Sequence, residues 1–301
     1  MNLKSFSDYK FFARGCQFYC LFFALILLIQ PALAGDLASE AMAAQEKIFE
    51  RDYPTALQMF KTLEQNYPNH PIGPFGQMAL WEMRELENEN FAYEKEYQAA
   101  ADKAIALMDR LPAVQTNLSE WDLFVLSSGY GLQGFHHARK SEWWRAYIDG
   151  NKARHYLKKL IWAHPEFYDA SMGLGMYDYY RSVFTARLRF LPFFPDKRES
   201  GIAQVKITIE KGTYANRLGV ANLALIYLNE RRYVEAQTLL EDLLQRYPRN
   251  TILRMFLGKA YFFEGQYAKA LAAFQTVEKI DPTLTKAHTY AADAKQHLMK
   301  R

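Results

Sequence analysis

The sequence predicts an all-α protein built from consecutive pairs of amphipathic helices. Two segments near the C-terminus repeat with a period of 34 residues, and each ends at a proline that stops a helix. Most other stretches also place apolar residues at helical spacing, and no stretch requires the alternating pattern of a half-buried strand. Hydrophobic residues make up 50% of the 301 residues, which is ample for a buried core.

The repeat is clearest in residues 217–250 and 251–284, which align without a gap. Their prolines are 34 residues apart, and four further pairs of positions match at the same distance. The matched pairs are Pro248 and Pro282, Ala224 and Gly258, Tyr227 and Tyr261, Ala236 and Ala270, and Leu240 and Phe274. The small residues let two helices approach closely, the tyrosines fill the gap between neighbouring pairs, and each proline separates one pair from the next.

This pattern resembles the tetratricopeptide repeat (TPR), a helix pair of about 34 residues with small, aromatic and proline positions in this order. The resemblance covers about residues 36–299 and is strongest in residues 36–70 and 217–284. It implies that residues 35–301 form a right-handed superhelix, an α-solenoid in which the first helix of each pair lines a concave groove.

Earlier segments follow the same plan with more divergence. Residues 37–70 keep the two alanines, the phenylalanine and the proline of the pattern, at Ala44, Ala56, Phe60 and Pro68. Three more helix pairs lie between residues 71 and 212, and residues 285–301 form a final amphipathic helix. A solenoid needs such a polar-faced cap at its end. The prediction is therefore about six helix pairs and a C-terminal capping helix.

The fourth pair is interrupted by an insertion at residues 181–198, where Pro192 and Pro195 forbid a continuous helix. The surrounding sequence resembles a secreted or periplasmic bacterial group of TPR-containing proteins. That group shares a GLGxYxYY helix, an aromatic-Leu-Pro loop and a DRExG turn, which are GLGMYDYY, FLPFFP and DKRESG in this chain. This resemblance implies no known reaction.

Residues 1–34 have the layout of a secretory signal peptide. A basic start precedes the apolar run of residues 18–29, and small residues follow at Ala32 and Ala34. We expect cleavage after Ala34, so that the mature chain begins at Gly35 and is periplasmic, with association to the envelope left open. The alternative is an uncleaved membrane anchor, although the run is shorter than the roughly 20 residues that a spanning helix needs.

Charge and cysteine content exclude several classes of function. Removing residues 1–34 takes away three cations and one acid, which lowers the formal charge from +4 to +2. So small a charge provides no global field for binding nucleic acid. Cys16 and Cys20 lie within the predicted signal, so the mature chain has no cysteine for disulfides, thiolate catalysis or zinc. Gly35 stands where a lipid-anchored protein would need a cysteine.

Two patterns imitate cofactor or metal sites. The stretch GYGLQG from Gly129 to Gly134 is a literal G-x-G-x-x-G, and Asp149 follows 20 residues after its first glycine. A dinucleotide site needs a strand before the glycines, whereas the flanking pattern is helical, so we expect close helix packing here. The adjacent His136 and His137 point to different helix faces, and no H-E-x-x-H pattern occurs. We predict no catalytic residue, no cofactor and no metal.

The first helices of the pairs supply candidate partner-binding residues, because these helices line the groove in the family that the chain resembles. By that transfer the groove presents Trp121, Phe124, Tyr168, Tyr179, Leu225, Asn229, Met255, Lys259, Phe262 and Phe263. An aromatic groove suits an extended or helical peptide. The alternative is that diverged repeats bury many of these side chains against each other, because aromatic stripes at helical spacing are most often core.

The insertion is the second candidate surface. Its cations and aromatic rings include Arg187, Arg189, Phe190, Phe193 and Phe194. We favour an insertion that folds back and plugs the superhelix, because a secreted soluble chain seldom leaves so large an apolar patch exposed. The alternative is a working surface that meets a partner or an anionic lipid headgroup.

Together these features predict a non-enzymatic scaffold for protein–protein interaction in the periplasm or cell envelope. Its partner would be a protein or peptide held in the groove, and no nucleic-acid partner is expected. One rival is a catalytic protein on the same scaffold, which lacks a recognisable nucleophile–base or metal constellation. The other rival is a membrane-associated structural protein that uses residues 181–198 or the N-terminal segment as its contact.

Overall fold

The computed structural model describes residues 34–190 and 193–300, which form thirteen α-helices and contain no strand. The predicted signal peptide is not tested, because residues 1–33 lie outside the described residues. In the part of the chain that is described, no helix is both long enough and apolar enough to cross a bilayer.

The helices follow one another in six pairs and a final single helix, as the sequence predicts. The pairs are α1 (Ala34–Phe49) with α2 (Tyr53–Asn66), α3 (Ile72–Glu87) with α4 (Glu94–Val114), α5 (Glu120–Arg139) with α6 (Trp143–Ala163), α7 (Asp169–Phe184) with α8 (Arg198–Lys211), α9 (Asn216–Asn229) with α10 (Tyr233–Arg246), and α11 (Thr251–Phe263) with α12 (Tyr267–Ile280). The last helix is α13 (Thr285–Met299). Each helix packs against the next along the chain, so the all-α, solenoid-like fold is confirmed.

The turns inside five of the six pairs share one backbone feature, a residue with positive φ. Gly265 has a positive φ of 80° between α11 and α12, and Arg231, 34 residues earlier, has a φ of 59° between α9 and α10. The next backbone N–H groups, of Gln266 and Arg232, donate back to carbonyls five residues earlier, both at 2.8 Å. A left-handed residue with this bond ends a helix and reverses the chain, which lets the second helix lie against the first.

The matched small residues lie where helices touch, as predicted. Ala236 and Ala270 have no exposed surface, and a Cβ built on Gly258 would lie 2.4 Å from the ring of Phe274. Gly129 likewise lies against Met108, where a Cβ would be 2.2 Å from the sulfur. The GYGLQG stretch is therefore part of helix α5, and its first glycine serves close packing between helices.

The two ends of the solenoid meet, which the sequence does not predict. The Glu46 carboxylate of α1 accepts a bond from Arg217 of α9 at 2.7 Å. The side-chain amide of Asn250, just before α11, donates to the carbonyl of Phe49 at 3.0 Å. Helix α3 also packs against α11. The first helix pairs therefore contact the last ones, and the inner side of the curl is occupied by the chain itself.

One helix contains a proline near its end, and one helix boundary differs from the sequence prediction. Helix α4 passes Pro112 and ends at Val114, because a proline in the last turn removes only one intrahelical bond. Helix α7 continues to Phe184, so the irregular insertion is shorter than residues 181–198. It contains a short 3₁₀ helix, Ala186–Leu188, and α8 then begins at Arg198 as predicted.

Candidate functional site

The predicted groove residues at the C-terminal end are mostly buried. Met255, Lys259 and Phe262 of α11 are all buried, and Phe263 is the exposed member of this group, with 41% of its surface accessible. The ring of Phe263 stacks on Tyr233 with the centroids 5.8 Å apart. Of these four predicted contacts, Phe263 is therefore the one that a partner can reach in this conformation.

The central groove residues also lie within the protein. Trp121, Phe124 and Tyr179 are buried, and Tyr168, just before α7, is half-buried. The rings of Trp121 and Phe124 are 6.2 Å apart.

Tyr179 connects two neighbouring helix pairs. Its hydroxyl donates to Glu230 at 2.8 Å and accepts a bond from Asn229 at 2.6 Å. Asn229 is itself a predicted groove residue. In the structure, Trp121 and Phe124 therefore pack inside the protein, and Tyr179 links one helix pair to the next.

The meeting of the two ends explains why Lys259 of α11 is buried. The Lys259 ammonium donates to the carboxylate of Glu89, which follows α3. The Tyr290 hydroxyl of α13 donates to the same carboxylate at 2.7 Å, and the ammonium lies 4.9 Å from the Tyr290 ring. A buried cation needs such partners to offset the loss of hydration. Lys259 is thus part of an internal contact between the two ends of the chain.

The prediction that the insertion plugs the superhelix is wrong for its most apolar residues. Phe190 and Phe193 expose 78% and 75% of their surface, and Phe194 is half-buried. Arg187 and Arg189 are exposed as well. Helices α3 and α11 contact each other on the inner side of the curl. The insertion is therefore not needed to fill that space.

Polar contacts hold the ends of the insertion against α7. The guanidinium of Arg181 donates to the carbonyl of Phe193 at 3.2 Å. The backbone N–H of Lys197 donates to the Ser182 hydroxyl at 2.8 Å. The ammonium of Lys197 also lies 3.6 Å from the carboxylate of Asp178. These bonds fix the ends of the segment while the rings of Phe190 and Phe193 point outward.

A second exposed aromatic group was missed by the sequence analysis. Trp143, Trp144 and Tyr147 at the start of α6 are all exposed. The rings of Trp143 and Phe184 are 5.8 Å apart, which places the start of α6 beside the end of α7. The tryptophan doublet at a helix start was a visible signal, but helical spacing alone does not tell which aromatic residues stay in water.

A buried ionic cluster lies between α3 and α5, and the sequence analysis did not find it. Glu82 accepts bonds from His136 Nδ1, at 2.7 Å, and from the guanidinium of Arg139, which is also 3.3 Å from Glu85. His136 stacks on Tyr97 with the ring centroids 3.7 Å apart. The sequence does contain two pairs of ionisable residues spaced three apart on one helix, Glu82 with Glu85 and His136 with Arg139. It does not show that the two pairs meet, because 54 residues separate Glu82 from His136.

The two carboxyl groups of this cluster have opposite pKa shifts. Burial by itself raises the pKa of Glu82, but the charge of Arg139 and the bond from His136 outweigh burial, and the pKa is lowered. Burial, together with the charge of Glu82, raises the pKa of Glu85 to about 7.

Glu82, Glu85 and His136 also lie close enough together to hold a metal ion. The guanidinium of Arg139 already neutralises part of their charge, so we interpret the group as an internal ion network. A second, more exposed group joins Glu120, His164 and Glu166.

A family model described as tetratricopeptide repeat matches residues 227–295. This part of the chain therefore carries tetratricopeptide repeats, and it contains helices α10 to α12 and most of α13. No curated protein matches the chain.

Three solved structures are similar at low identity. The TPR domain of P58(IPK) is 12% identical, with 88% of this chain and 99% of that chain covered and a TM-score of 0.31. The TPR2AB domain of yeast Sti1, in complex with pHSP90, is 14% identical, with 88% and 98% covered and a TM-score of 0.30. Yeast Tom70 is 14% identical, with 99% and 72% covered and a TM-score of 0.35. These scores are too low to support an inference about function.

Proposed function

We propose that this chain is a non-enzymatic scaffold that binds another protein. The observation that carries the proposal is the edge formed by the exposed Val234 and Phe263 with the half-buried Tyr233, which lies within the segment that carries tetratricopeptide repeats. Exposed aromatic rings that are already held in place by stacking lose little conformational freedom on binding, and aromatic residues dominate the binding energy of protein interfaces.

The proposed contact is narrower than the groove that the sequence predicts. Phe262 lies beneath Phe263, and its ring centroid is 5.1 Å from Tyr267 and 5.2 Å from His297. Truncating Phe262 would therefore remove core contacts as well as any contact with a partner. Phe263 is the residue whose replacement tests binding without disturbing the core.

The proposed location is the bacterial periplasm, with cleavage after Ala34. The basic start, the apolar run and the small residues before Gly35 support it. The resemblance to a secreted TPR-containing group, carried by GLGMYDYY and DKRESG, agrees with this location. A binding role without catalysis is favoured because the buried carboxylate of Glu82 is already paired with His136 and Arg139.

Site-specific photocrosslinking tests the proposal. A photoreactive phenylalanine analogue placed at Phe263 should give one defined protein adduct in the native host. Val114 at the end of α4 is also exposed and apolar, and it serves as the matched control position that should give no such adduct. Absence of an adduct at Phe263, or the same adducts at both positions, would refute binding at this edge.

A further inference from the structure

An outward face joins the start of α6 to the end of α7 and the insertion, and we name it the aromatic–arginine face. Its exposed rings are Trp143, Trp144, Tyr147, Phe184, Phe190 and Phe193. Its exposed cations are Arg145, Arg187 and Arg189. This face is separate from the edge at Phe263, so a role for it goes beyond the proposed scaffold function.

Contacts between α6 and α7 bring the two parts of the face together. The rings of Trp143 and Phe184 lie 5.8 Å apart. Further along the same helices, the hydroxyl of Tyr177 donates to the side-chain carbonyl of Asn151 at 3.0 Å. The first half of α6 therefore packs along the last half of α7, and the exposed rings of α6 lie beside the segment that comes after α7.

The charged residues at the end of α7 and the start of the insertion are all positive. Residues 181–190 contain three arginines and no acidic residue. Arg189 lies 3.0 Å from Asp196, and Arg181 bonds a carbonyl of the insertion. Arg187 is exposed and has no ion pair within the described ranges 34–190 and 193–300. Its guanidinium is therefore available to an anion from outside the protein.

We propose that the aromatic–arginine face docks the protein on a membrane surface that contains anionic phospholipid. Phenylalanine rings as exposed as Phe190 and Phe193 gain free energy by entering the boundary between headgroups and acyl chains. Tryptophan and tyrosine rings suit the interface, because one end of the ring is apolar and the other keeps a polar group in water. An arginine bonds a lipid phosphate while its stem lies along the apolar layer.

Two observations favour lipid over a protein partner at this face. Phe190 and Phe193 bury only about a quarter of their surface against their own chain, so they protrude and do not line a preformed pocket. The exposed guanidinium of Arg187, which has no ion pair among the described residues, complements a surface of many equivalent phosphates, and such a surface requires no fixed arrangement of partners.

Vesicle binding tests this proposal with the purified mature protein, residues 35–301. The protein should sediment with vesicles of phosphatidylcholine and phosphatidylglycerol, and much less with phosphatidylcholine alone. Binding should fall as sodium chloride rises, and tryptophan emission should shift to the blue on binding.

Phe190→Ser with Phe193→Ser should weaken binding at least roughly tenfold with an unchanged Tm, because exposed rings contribute little to the core. Arg187→Gln should weaken it roughly fivefold.

Matched controls lie at the far end of the same helix. Trp162 is 87% exposed and lies about 27 Å along α6 from Trp144, so Trp162→Ser should bind as the wild type does. Lys158→Gln with Lys159→Gln is the corresponding charge control. The proposal fails if the wild type ignores anionic vesicles, binds both compositions equally, or loses as much affinity on the control changes. It also fails if the phenylalanine changes break a dimer without altering vesicle binding, since a second copy then covers the face.

Discussion

Replacing Gly258 by alanine should destabilise the protein, although alanine is the better helix former. A Cβ on Gly258 would lie 2.4 Å from Cε1 of Phe274 and 2.8 Å from two further atoms of that ring. The ring is buried and its centroid is 5.3 Å from that of Tyr290, so it has little room to withdraw. The added methyl group must therefore force α11 and α12 apart.

The magnitude is set by two opposing effects. Alanine gains about 0.8–1.0 kcal/mol over glycine in a helix interior. Overpacking of a filled core costs about 1–3 kcal/mol, and an approach of 2.4 Å to a buried ring places this change in the upper part of that range, at about 2–3 kcal/mol, so the net loss for Gly258→Ala is about 1–2 kcal/mol. Gly150 in α6 is the matched control, since a Cβ there would meet only Tyr177, at 3.9 Å. Gly150→Ala should therefore keep the helix gain and stabilise the protein by up to about 1 kcal/mol.

Urea unfolding followed by far-UV circular dichroism measures both variants. We expect the midpoint to fall for Gly258→Ala and to rise for Gly150→Ala. Adding Phe274→Leu to Gly258→Ala should recover part of the loss, because the smaller side chain relieves the contact. If Gly258→Ala is as stable as the wild type, the close approach of α11 and α12 is not what requires glycine at this position.

Two further predictions concern proton binding and processing. Burial and the charge of Glu82 raise the pKa of Glu85 to about 7, so the native state holds this proton more tightly than the unfolded chain does. The free energy of unfolding should therefore decrease as pH rises from 4.5 to about 7, and Glu85→Gln should remove that slope, by at most about 3 kcal/mol. An equal slope in both proteins, measured by urea unfolding, would contradict this. Protein secreted by its host should begin at Gly35, and an intact mass that includes residues 1–34 would rule this out.

The helix pairs were predictable because their constraints are local. Gly258, Tyr261 and Pro282 lie within one repeat, and each acts on the helix beside it by close approach, gap filling or termination. The end of the insertion marked the start of α8 near Arg198, and the amphipathic pattern of residues 285–301 marked the final helix. A period of 34 residues is visible in the sequence without knowledge of distant contacts, which is why the number and order of helices could be predicted.

The exposed and buried faces were harder to predict, because they depend on how the whole chain curls. Lys259 has the spacing of a groove residue, but its ammonium donates a hydrogen bond to Glu89, which is 170 residues away in the sequence. In the same way, Glu82 and His136 form one buried cluster across 54 residues. Helical spacing indicates which side of a helix is apolar, but it does not tell whether that side meets solvent or another part of the same chain.

The sequence by itself determined an all-α chain of helix pairs and the place of its irregular insertion. The tertiary structure decided which aromatic residues remain at the surface. Phe190 and Phe193 were expected inside, but α3 and α11 meet across the inner side of the curl, and bonds from Arg181 and Lys197 fix the insertion on the outside. The physical reason is that side-chain burial depends on contacts between elements far apart in sequence, whereas helix formation depends on neighbours within a few turns.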